Sequence, residues 1–424
     1  MSEFPSLSVL EDLIGRVQRR HLRPLASVRV VCVQHLLETT GSLLESFVRL
    51  GCRAADIHVL GKFYSSSPAI EAELKAAGFD IVDWQGGVFP GRFGEAIERN
   101  IVGLWGHVYS RAERDDRAVL VLDDGGRCRQ YCPDIFRSRP IIGIEQTTSG
   151  LNKHANGHWI PTVEVAGSAA KRTLEPPAVT ASILKFVIPQ LPAERGDGAD
   201  IGVVGLGTVG EDLARQLARS GYKVNVHDKN SELRNRVPEA RWRSSLRELF
   251  ECSRCILGCT GEDLCADADW VDEIRGEKVL ASCSSEDAEF RSLLRRSSRV
   301  SSTSWALADV ELRSANGSLK ILRGGFPANF TGTRNSGPIP LIQVTRALLL
   351  AGVVQAAVLA QAGSLPLPER IMLDPLLQSM VASAFLAEQG ENFTPEIRKC
   401  VRNENWLAGH STGALTKRTI PFAG

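Results

Sequence analysis

The chain has 424 residues, 50 of them basic and 49 acidic, so its formal net charge at pH 7 is +1. This balance gives no reason to expect a nucleic-acid partner or a membrane surface, because both favour strongly basic sequences. The length suffices for two or three domains with sizeable cores. The first residues carry acids early and lack the apolar core of a signal peptide, so we expect a cytoplasmic protein.

The first half of the sequence alternates between apolar runs and amphipathic helical patterns. A helical pattern over 1–25 comes first, and further helical patterns separate the apolar runs that follow. Alternation of this kind predicts parallel strands joined by helices that cover both faces of the sheet. The sequence predicts strands within 28–37, 56–61, 79–84, 118–126 and 140–150.

The segment 185–200, "KFVIPQLPAERGDGAD", is rich in Pro, Gly and charge and predicts a linker. A second α/β pattern follows it, and Ala- and Leu-rich helices dominate the chain after about residue 336. We therefore expect the fold class α/β, with two doubly wound parallel-sheet domains and a helical C-terminal return. The predicted divisions are a first domain over 1–184, the linker, a second domain over 201–340, and the return with a loop-like tail over 341–424.

Neither the cysteines nor the apolar runs indicate a special environment. The ten cysteines are expected to be reduced thiols, and the pairs Cys128–Cys132 and Cys252–Cys255 lack a second pair at zinc-site spacing. We therefore expect no metal. The longest apolar stretch, 347–363, is Ala-rich and is predicted to fall short of a membrane-spanning helix.

The segment 201–213, "IGVVGLGTVGEDL", joins an apolar run to a helical pattern through Gly205, Gly207 and Gly210. In this context G-x-G-x-x-G predicts a dinucleotide site, because the glycines allow a tight turn, a close approach of the pyrophosphate and close packing of helix on strand. Asp228 ends the next strand, where a carboxylate accepts hydrogen bonds from the adenosine ribose. This carboxylate favours NAD over NADP, although the basic residues that follow it weaken the preference. The other predicted cofactor contacts in this half of the chain are Thr208, Val209, Thr260 and Gly261.

Polar groups follow the predicted strands ahead of this site: His35 in "VQHLLETT", Asp124 in "LDDGG", the run "EQTTSG" at 145–150, and Lys171 in "SAAKRTLEP". Together with "GLGTVG" they resemble S-adenosylhomocysteine hydrolase, whose family reads "LDDGGD…EETTTG…K…GYGDVGKG". The resemblance covers roughly residues 28–345. It implies a substrate domain first, an NAD domain second and a C-terminal return.

The resemblance implies a reaction in which tightly held NAD⁺ oxidises a secondary alcohol. The ketone then acidifies a neighbouring C–H, a leaving group departs by β-elimination, water adds, and the stored hydride reduces the ketone again. We therefore expect NAD-dependent oxidation and elimination on a nucleoside-like or thioether substrate, a small molecule, within a homodimer or homotetramer.

The resemblance also implies roles for individual residues. His35 and Asp124 match the acid–base groups near the leaving group, and Lys171 matches the lysine beside the alcohol. The nicotinamide end of NAD is expected to contact the hydroxyl run and an asparagine in "GGFPANFTG", which are Thr147, Thr148, Ser149 and Asn329.

The chain departs from the family pattern mainly where the substrate is recognised. Gln146 replaces a glutamate, so any base role there passes to Glu145, Asp124 or Lys171. The ribose-side aspartate is replaced by Glu175 and the asparagine after it by Pro176. Further departures are Leu37 and Thr39 on the adenine side, missing histidines near Ser285 and in 335–338, and an unrecognisable basic-aromatic tail in "TKRTIPFAG".

These departures predict that S-adenosylhomocysteine is a poor substrate, because unpaired buried polar groups cost about 1–3 kcal/mol each. Three alternatives remain open. The enzyme could omit water addition and act as a net lyase or dehydratase, it could be a plain NAD-dependent oxidoreductase, or the chain could be a non-catalytic NAD-binding protein.

Overall fold

The computed structural model describes residues 4–20, 22–112, 115–153, 159–190, 200–296, 307–313, 316–363 and 369–393. The chain forms two compact units. Unit 1 comprises 1–85, 98–175 and 332–424, and unit 2 comprises 86–97 and 176–331. The predicted tail at 404–424 lies outside the described residues.

Unit 1 is built on a seven-stranded sheet in which every described pair of strands is parallel. Its strands are β1 (Val28–Gln34), β2 (Ile57–Gly61), β3 (Asp80–Val82), β4 (Ala118–Asp123), β5 (Ile141–Glu145), β6 (Thr162–Glu164) and β14 (Arg370–Met372). The spatial order is β14-β6-β5-β4-β1-β2-β3. The last strand of the described residues, β14, therefore lies at one edge, and the central strand β4 is flanked by β1 and β5.

Helices surround this sheet, and the last two of those given below, α12 and α13, come from the C-terminal return. They are α1 (Ser8–Gln18), α2 (Glu38–Arg49), α3 (Pro68–Ala76), α4 (Phe93–Ala112), α5 (Arg127–Gln130), α6 (Thr148–Lys153), α7 (Ala169–Leu174), α12 (Ile339–Gln361) and α13 (Pro375–Gln389). Helix α12 packs on β4, β5, α1, α2 and α13 and shares their apolar core. The first helix is shorter than the predicted 1–25, because only 8–18 have a helical backbone.

Helix α12 is long and apolar enough, by length and composition, to cross a membrane, but 83% of its most apolar window is buried. The prediction that this stretch is too short to span was wrong, because the helix begins at Ile339 and runs for 23 residues. Burial inside unit 1 accounts for its apolar composition, as in the core helix of an α/β protein.

Unit 2 contains a second seven-stranded sheet, in the order β12-β13-β11-β10-β7-β8-β9. Its strands are β7 (Ile201–Val204), β8 (Val224–His227), β9 (Arg241–Trp242), β10 (Cys255–Gly258), β11 (Gly276–Ser282), β12 (Val310–Arg313) and β13 (Gly317–Ile321). Its helices are α8 (Pro176–Val187), α9 (Thr208–Arg219), α10 (Leu246–Cys252) and α11 (Arg291–Arg296). Only the edge pair β12–β13 is antiparallel among the described pairs. The predicted fold class, two parallel α/β sheets with a helical return, is confirmed.

The boundaries between the units differ from the sequence-based divisions. The chain passes into unit 2 after Glu175, because α8 packs against α9 and buries Ile183 and Val187 in the unit 2 core. It returns to unit 1 at Gly332. Residues 191–199, which make up most of the predicted linker, lie outside the described residues.

The packing of α12 generates a stability prediction. Leu349 is fully buried in the unit 1 core, so Leu349→Ala should reduce the free energy of unfolding of that unit by about 2–5 kcal/mol, as core leucine truncations do. The control is Val102→Ala on α4, whose side chain is 56% exposed and whose truncation should change stability by less than about 0.5 kcal/mol. Thermal unfolding followed by circular dichroism measures both. Equal midpoints for the two variants would contradict this account of the core.

Candidate functional site

The predicted site residues fall into two groups, one in each unit. In unit 2 they surround the turn between β7 and α9. Gly205 has φ +90°, a conformation that side chains rarely adopt, and a Cβ on Gly210 would lie 1.9 Å from the carbonyl oxygen of Gly205. A Cβ on Gly207 would meet no atom within 4 Å. The first and third glycines are therefore required by the fold, whereas the second leaves open the space in which a pyrophosphate would lie over the helix N-terminus.

Asp228 follows β8 and is half-buried beside this turn. Its Oδ2 accepts a hydrogen bond from the backbone N–H of Leu206 at 2.6 Å, and its Oδ1 accepts one from that of Asn230 at 2.8 Å. The carboxylate thus fixes the glycine turn. Each of its oxygens has further lone pairs, so it is also able to accept ribose hydroxyls.

The loop after β10 carries Thr260 and Gly261, and a buried carboxylate that the sequence analysis missed holds it in place. Glu289 accepts hydrogen bonds from the backbone N–H groups of Thr260 and Gly261, at 2.7 and 2.6 Å, and from the Thr260 hydroxyl at 2.8 Å. Burial raises the pKa of Glu289, and these donors oppose that rise. Nothing in its sequence context "SSEDAEF" distinguished Glu289, because two other acidic residues precede it.

Asn329 lies at the carboxyl end of the same sheet. The preceding residue, Ala328, donates its N–H to the carbonyl of Ser282 at the end of β11, at 2.8 Å. Asn329 itself is half-buried. The structure therefore places this predicted nicotinamide contact on the sheet edge from which the β7 and β10 turns also emerge.

In unit 1 the centre of the predicted site is a pair formed by His35 and Asp124, which follow the neighbouring strands β1 and β4. His35 Nε2 lies 3.1 Å from Asp124 Oδ2, and His35 Nδ1 lies 2.5 Å from Ser65 Oγ. A third group, Lys62, follows β2 and donates to Asp124 Oδ1 at 2.5 Å. Lys62 is 1% exposed, and nothing in "LGKFYSSS" distinguished it from a surface lysine.

The pKa values of Asp124 and His35 depend on the ion pair between Asp124 and Lys62. Burial opposes the ionisation of Asp124, but Lys62 and His35 outweigh it and hold the pKa of Asp124 well below its usual range. Burial lowers the pKa of His35, although Asp124 partly offsets the effect. At pH 7 the group therefore contains an ionised Asp124, paired with Lys62, and a neutral His35. The ionised carboxylate favours the His35 tautomer with its proton on Nε2.

Lys171 lies on α7 and forms an ion pair with Glu175 Oε2 at the end of the same helix. The other oxygen of Glu175 accepts a hydrogen bond from the Thr345 hydroxyl on α12, at 2.7 Å. The next residue, Arg346, donates from Nε to Thr39 Oγ1 at 3.1 Å. Two adjacent α12 residues thus connect three predicted site residues from α2 and α7. Neither residue was predicted from the sequence, although Arg346 is the only charged residue between Ile339 and Gln361.

Leu37 immediately precedes α2, and its side chain is 5% exposed. Its backbone N–H donates to the carbonyl of His35 at 3.0 Å. This bond closes the turn between β1 and α2, so Leu37 lies beside the acid–base pair with an apolar side chain where an adenine contact was predicted.

The structure does not bring Glu145 to this group. Leu120 and Leu122 of β4 face the α12 core, so Asp123, the next residue after Leu122, and its β5 neighbour Glu145 lie on the opposite face of the sheet. Glu145 is fully buried, pairs with Arg129 at 2.5 Å and accepts the N–H groups of Gly125 and Thr147. Burial raises its pKa to about 7, against the effect of Arg129. Its contacts hold the two loops together and leave it away from His35.

The hydroxyl-bearing residues after β5 differ in their roles, because one of them orders the backbone and another is exposed. Thr147 Oγ1 donates to Glu145 at 2.7 Å and accepts the N–H of Gly150, so it orders the start of α6. Thr148 is exposed and Ser149 is half-buried. The side chain of Gln146 is 8% exposed, and its Oε1 has no hydrogen-bond partner among the described residues.

A His–Asp–His cluster lies at the amino ends of the unit 1 strands, away from these groups. Asp80 Oδ2 is 2.5 Å from His58 Nδ1 and 2.8 Å from His107 Nε2, a spacing that would suit a metal ion. Arg29 donates to His58 Nε2 at 2.8 Å, and burial lowers the pKa of His58 to about 4. Since an arginine can only donate, the proton of the neutral His58 ring lies on Nδ1 and points at Asp80. The geometry is that of a hydrogen-bonded cluster.

Comparison with known proteins assigns the cofactor class. Residues 200–334 match the NAD-binding domain of 6-phosphogluconate dehydrogenase. Together with the open space over Gly207, this match confirms the predicted cofactor, NAD, and the Rossmann-type fold of unit 2. Over 346 residues the chain is 30% identical to two uncharacterised proteins of Mycobacterium tuberculosis, Rv0104 and MT0113. The aligned region spans 79% of this chain and 65% of each relative.

Solved structures resemble the chain only loosely. A dipicolinate synthase structure from Bacillus halodurans aligns at 14% identity with a TM-score of 0.39, over 81% of this chain and 100% of that one. The NAD-complexed D-isomer-specific 2-hydroxyacid dehydrogenase of Lactobacillus delbrueckii ssp. bulgaricus aligns at 11% identity with a TM-score of 0.36, over 79% and 98%. These values say nothing about substrate. The similarity to S-adenosylhomocysteine hydrolase remains a prediction.

The glycine geometry generates a prediction for NAD binding. Gly207→Val should leave the nucleotide-free fold intact, because the added side chain enters open space, and should weaken NAD binding at least ~10-fold by obstructing hydrogen bonds worth about 1.5–3 kcal/mol each. Gly103→Val, which also enters open space but lies on α4, is the matched control and should bind NAD normally. Calorimetric titration with NAD measures the affinity. Wild-type affinity in Gly207→Val would exclude this turn as the pyrophosphate site.

Proposed function

We propose that the protein is an NAD-dependent enzyme that oxidises a secondary alcohol of a small molecule and uses the resulting ketone to drive β-elimination. The observation that carries the proposal is the buried group of His35, Asp124 and Lys62 at the carboxyl ends of neighbouring strands. Ligands of open α/β sheets bind at this edge. The same chain carries an NAD-binding domain, so an oxidation step and an acid–base group are both available to it.

Bound NAD supplies the hydride acceptor, so the chain's own residues must manage protons. Oxidation of an alcohol releases its hydroxyl proton together with the hydride. Lys171 and its ion-pair partner Glu175 are the proposed groups for this proton: the Glu175 carboxylate is the acceptor, and the Lys171 ammonium relays the proton by passing one of its own to Glu175 as it takes that of the alcohol. The Thr345 hydroxyl on Glu175 orients this carboxylate.

His35 and Asp124 are proposed to act at the neighbouring carbon and the leaving group. His35 is neutral, Asp124 holds its Nε2 proton, and Nδ1 accepts from the Ser65 hydroxyl. A proton abstracted from substrate would reach His35 through Ser65, and the imidazolium formed would be stabilised by the ionised Asp124. Lys62 would limit that stabilisation, since it already neutralises the carboxylate. His35 therefore remains a weak base, suited to a C–H that a ketone has already acidified.

The alternatives differ in what happens to the hydride. A cycle that returns it to the same molecule, with or without water addition, needs NAD that stays bound, whereas a plain oxidoreductase must release NADH. A non-catalytic NAD-binding protein would have no use for a buried lysine–aspartate–histidine group, whose burial is costly without a function. The retained acid–base groups favour the elimination reaction, either hydrolytic or as a net lyase.

A cycle that returns the hydride to the same substrate molecule leads to a prediction for the purified protein. NAD should copurify with it at close to one nucleotide per chain, because a catalytic cofactor must persist through the cycle. Denaturation followed by chromatography of the released nucleotide gives the amount and the redox state. A protein that is isolated empty but whose unfolding midpoint rises with added NAD would favour the plain oxidoreductase. One that is empty and does not respond to NAD would contradict the proposed function.

A second prediction separates chemistry from cofactor binding. Lys171→Met preserves the length of the side chain and removes the amine, so it should lower the rate of NAD reduction by an alcohol substrate at least ~10²-fold, the usual effect of losing a positioned acid–base group. NAD affinity should stay nearly unchanged, because Lys171 is not among the predicted cofactor contacts and most of those contacts lie in unit 2. Lys185→Met on α8, an exposed lysine, is the control. Rapid-mixing absorbance of NADH measures the step, and near-normal rates in Lys171→Met would remove Lys171 from the mechanism.

A further inference from the structure

Arg346 stands out because it is a buried charge in an apolar helix. Its side chain lies in the middle of α12, between fully buried neighbours, and the residue is 3% exposed. Its Nε donates to Thr39, but its Nη1 has no hydrogen-bond partner among the described residues. A buried donor without a partner costs about 1–3 kcal/mol, and more when the group is charged. The packing of the apolar core therefore does not explain why this guanidinium is buried.

The surroundings of Arg346 are the predicted catalytic groups. The charges that act on it most strongly are those of Asp124 and Glu175, which partly offset the effect of burial on its pKa. Neither carboxylate forms an ion pair with it among the described residues, since Asp124 is taken by Lys62 and Glu175 by Lys171. Arg346 therefore lies near the Lys62–Asp124 pair and near the Lys171–Glu175 pair, and it forms an ion pair with neither carboxylate. Burial lowers its pKa to about 10, which leaves the guanidinium charged at pH 7.

A second buried polar group on the same side of the sheet also lacks a partner. Val28, Val30 and Cys32 of β1 face the α12 core, so by strand alternation Gln34 faces it too. Gln34 is fully buried, and neither its Nε2 nor its Oε1 has a hydrogen-bond partner among the described residues. Two unpartnered polar side chains on the face that carries the candidate site indicate a polar ligand.

The charge of the site indicates what kind of ligand it takes. Lys62 and Asp124 cancel, Lys171 and Glu175 cancel, and His35 is neutral at pH 7. Arg346 leaves one positive charge without a counter-charge. A monoanion would neutralise it, whereas a dianion such as a phosphate ester would leave an excess negative charge in a buried site, which is costly. A planar carboxylate also matches the two-donor geometry of a guanidinium.

We propose that Arg346 binds a carboxylate of the substrate, so that the substrate class is a secondary alcohol bearing one carboxylate. The secondary alcohol in this inference rests on the proposed function, and the carboxylate rests on the unpartnered guanidinium of Arg346. It gives the site a recognition element in place of the nucleoside contacts that the sequence has lost. Thr39, at a predicted adenine-side position, becomes the residue that orients the guanidinium through Nε.

The test is a binding experiment on the full-length protein with added NAD, and it does not depend on turnover. The probes are lactate, 3-hydroxybutanoate and mandelate, each compared with its own primary amide, which keeps the shape and removes the charge. We expect at least one acid to raise the unfolding midpoint and to bind at least ~10-fold more tightly than its amide, the equivalent of one charge-assisted hydrogen bond. Calorimetry measures the ratio.

Arg346→Met should abolish this preference, and Arg346→Lys should retain part of it, because an ammonium keeps the charge and loses the fork. Gln355→Met, a buried polar substitution further along α12, is the control and should bind the acids like the wild type. Should Arg346→Met fail to fold, Arg346→Gln takes its place. No preference for any acid over its amide in the wild type, or an undiminished preference in the Arg346 variants, would overturn the proposal.

The same samples separate this inference from the proposed function. Absorbance of NADH after addition of each probe reports oxidation. Acids that bind through Arg346 without ever reducing NAD would leave the carboxylate site in place and count against the oxidation chemistry. Amides or nucleosides that reduce NAD as well as the acids do, with Arg346→Met unaffected, would support the chemistry and refute the carboxylate site.

Discussion

The burial of α12 against the unit 1 sheet is the interaction on which the rest of this unit depends. Its three consecutive leucines, Leu348, Leu349 and Leu350, are fully buried, and each contributes about 1.5–3 kcal/mol to folding. That sum exceeds the cost of about 1–3 kcal/mol for one unpartnered buried donor. The helix therefore tolerates Arg346 within an apolar sequence, and its packing fixes where that guanidinium and Thr345 lie. The position of the candidate site follows from the position of the helix.

Strand alternation then divides the acidic residues at the sheet edge by function. Asp123 and Asp124 are adjacent in the chain, but Asp123 shares a face with Arg129 and Glu145 while Asp124 meets Lys62 and His35. One face uses its carboxylates to join loops, with every acidic group close to a guanidinium or a backbone donor. The other face keeps an ion pair beside a neutral histidine and an unpartnered arginine. The unpartnered guanidinium beside the acid–base group is why we place the ligand on the second face.

Most of the architecture could be predicted from the sequence, because apolar runs and helical periodicity are local signals. The glycine turn, Asp228 and the pairing of His35 with Asp124 were likewise indicated by position at strand ends. Lys62 could not be found this way, since its partner is 62 residues distant and its neighbours are ordinary. Arg346 left a signal, a single charge in an apolar helix, but its meaning depended on which strands that helix covers. Glu145 was misplaced because a one-residue step in a strand reverses the face.

The discontinuity of unit 1 imposes an order on biosynthesis. Every residue of unit 2 lies before residue 332, whereas unit 1 needs α12 and α13, which leave the ribosome after all of unit 2. Domains generally fold as their sequence emerges. The NAD-binding unit can thus become complete, and its cofactor can bind, while the first sheet still exposes the apolar face that α12 will cover. The order of segments along the chain thus allows NAD to bind before the candidate site of unit 1 is complete.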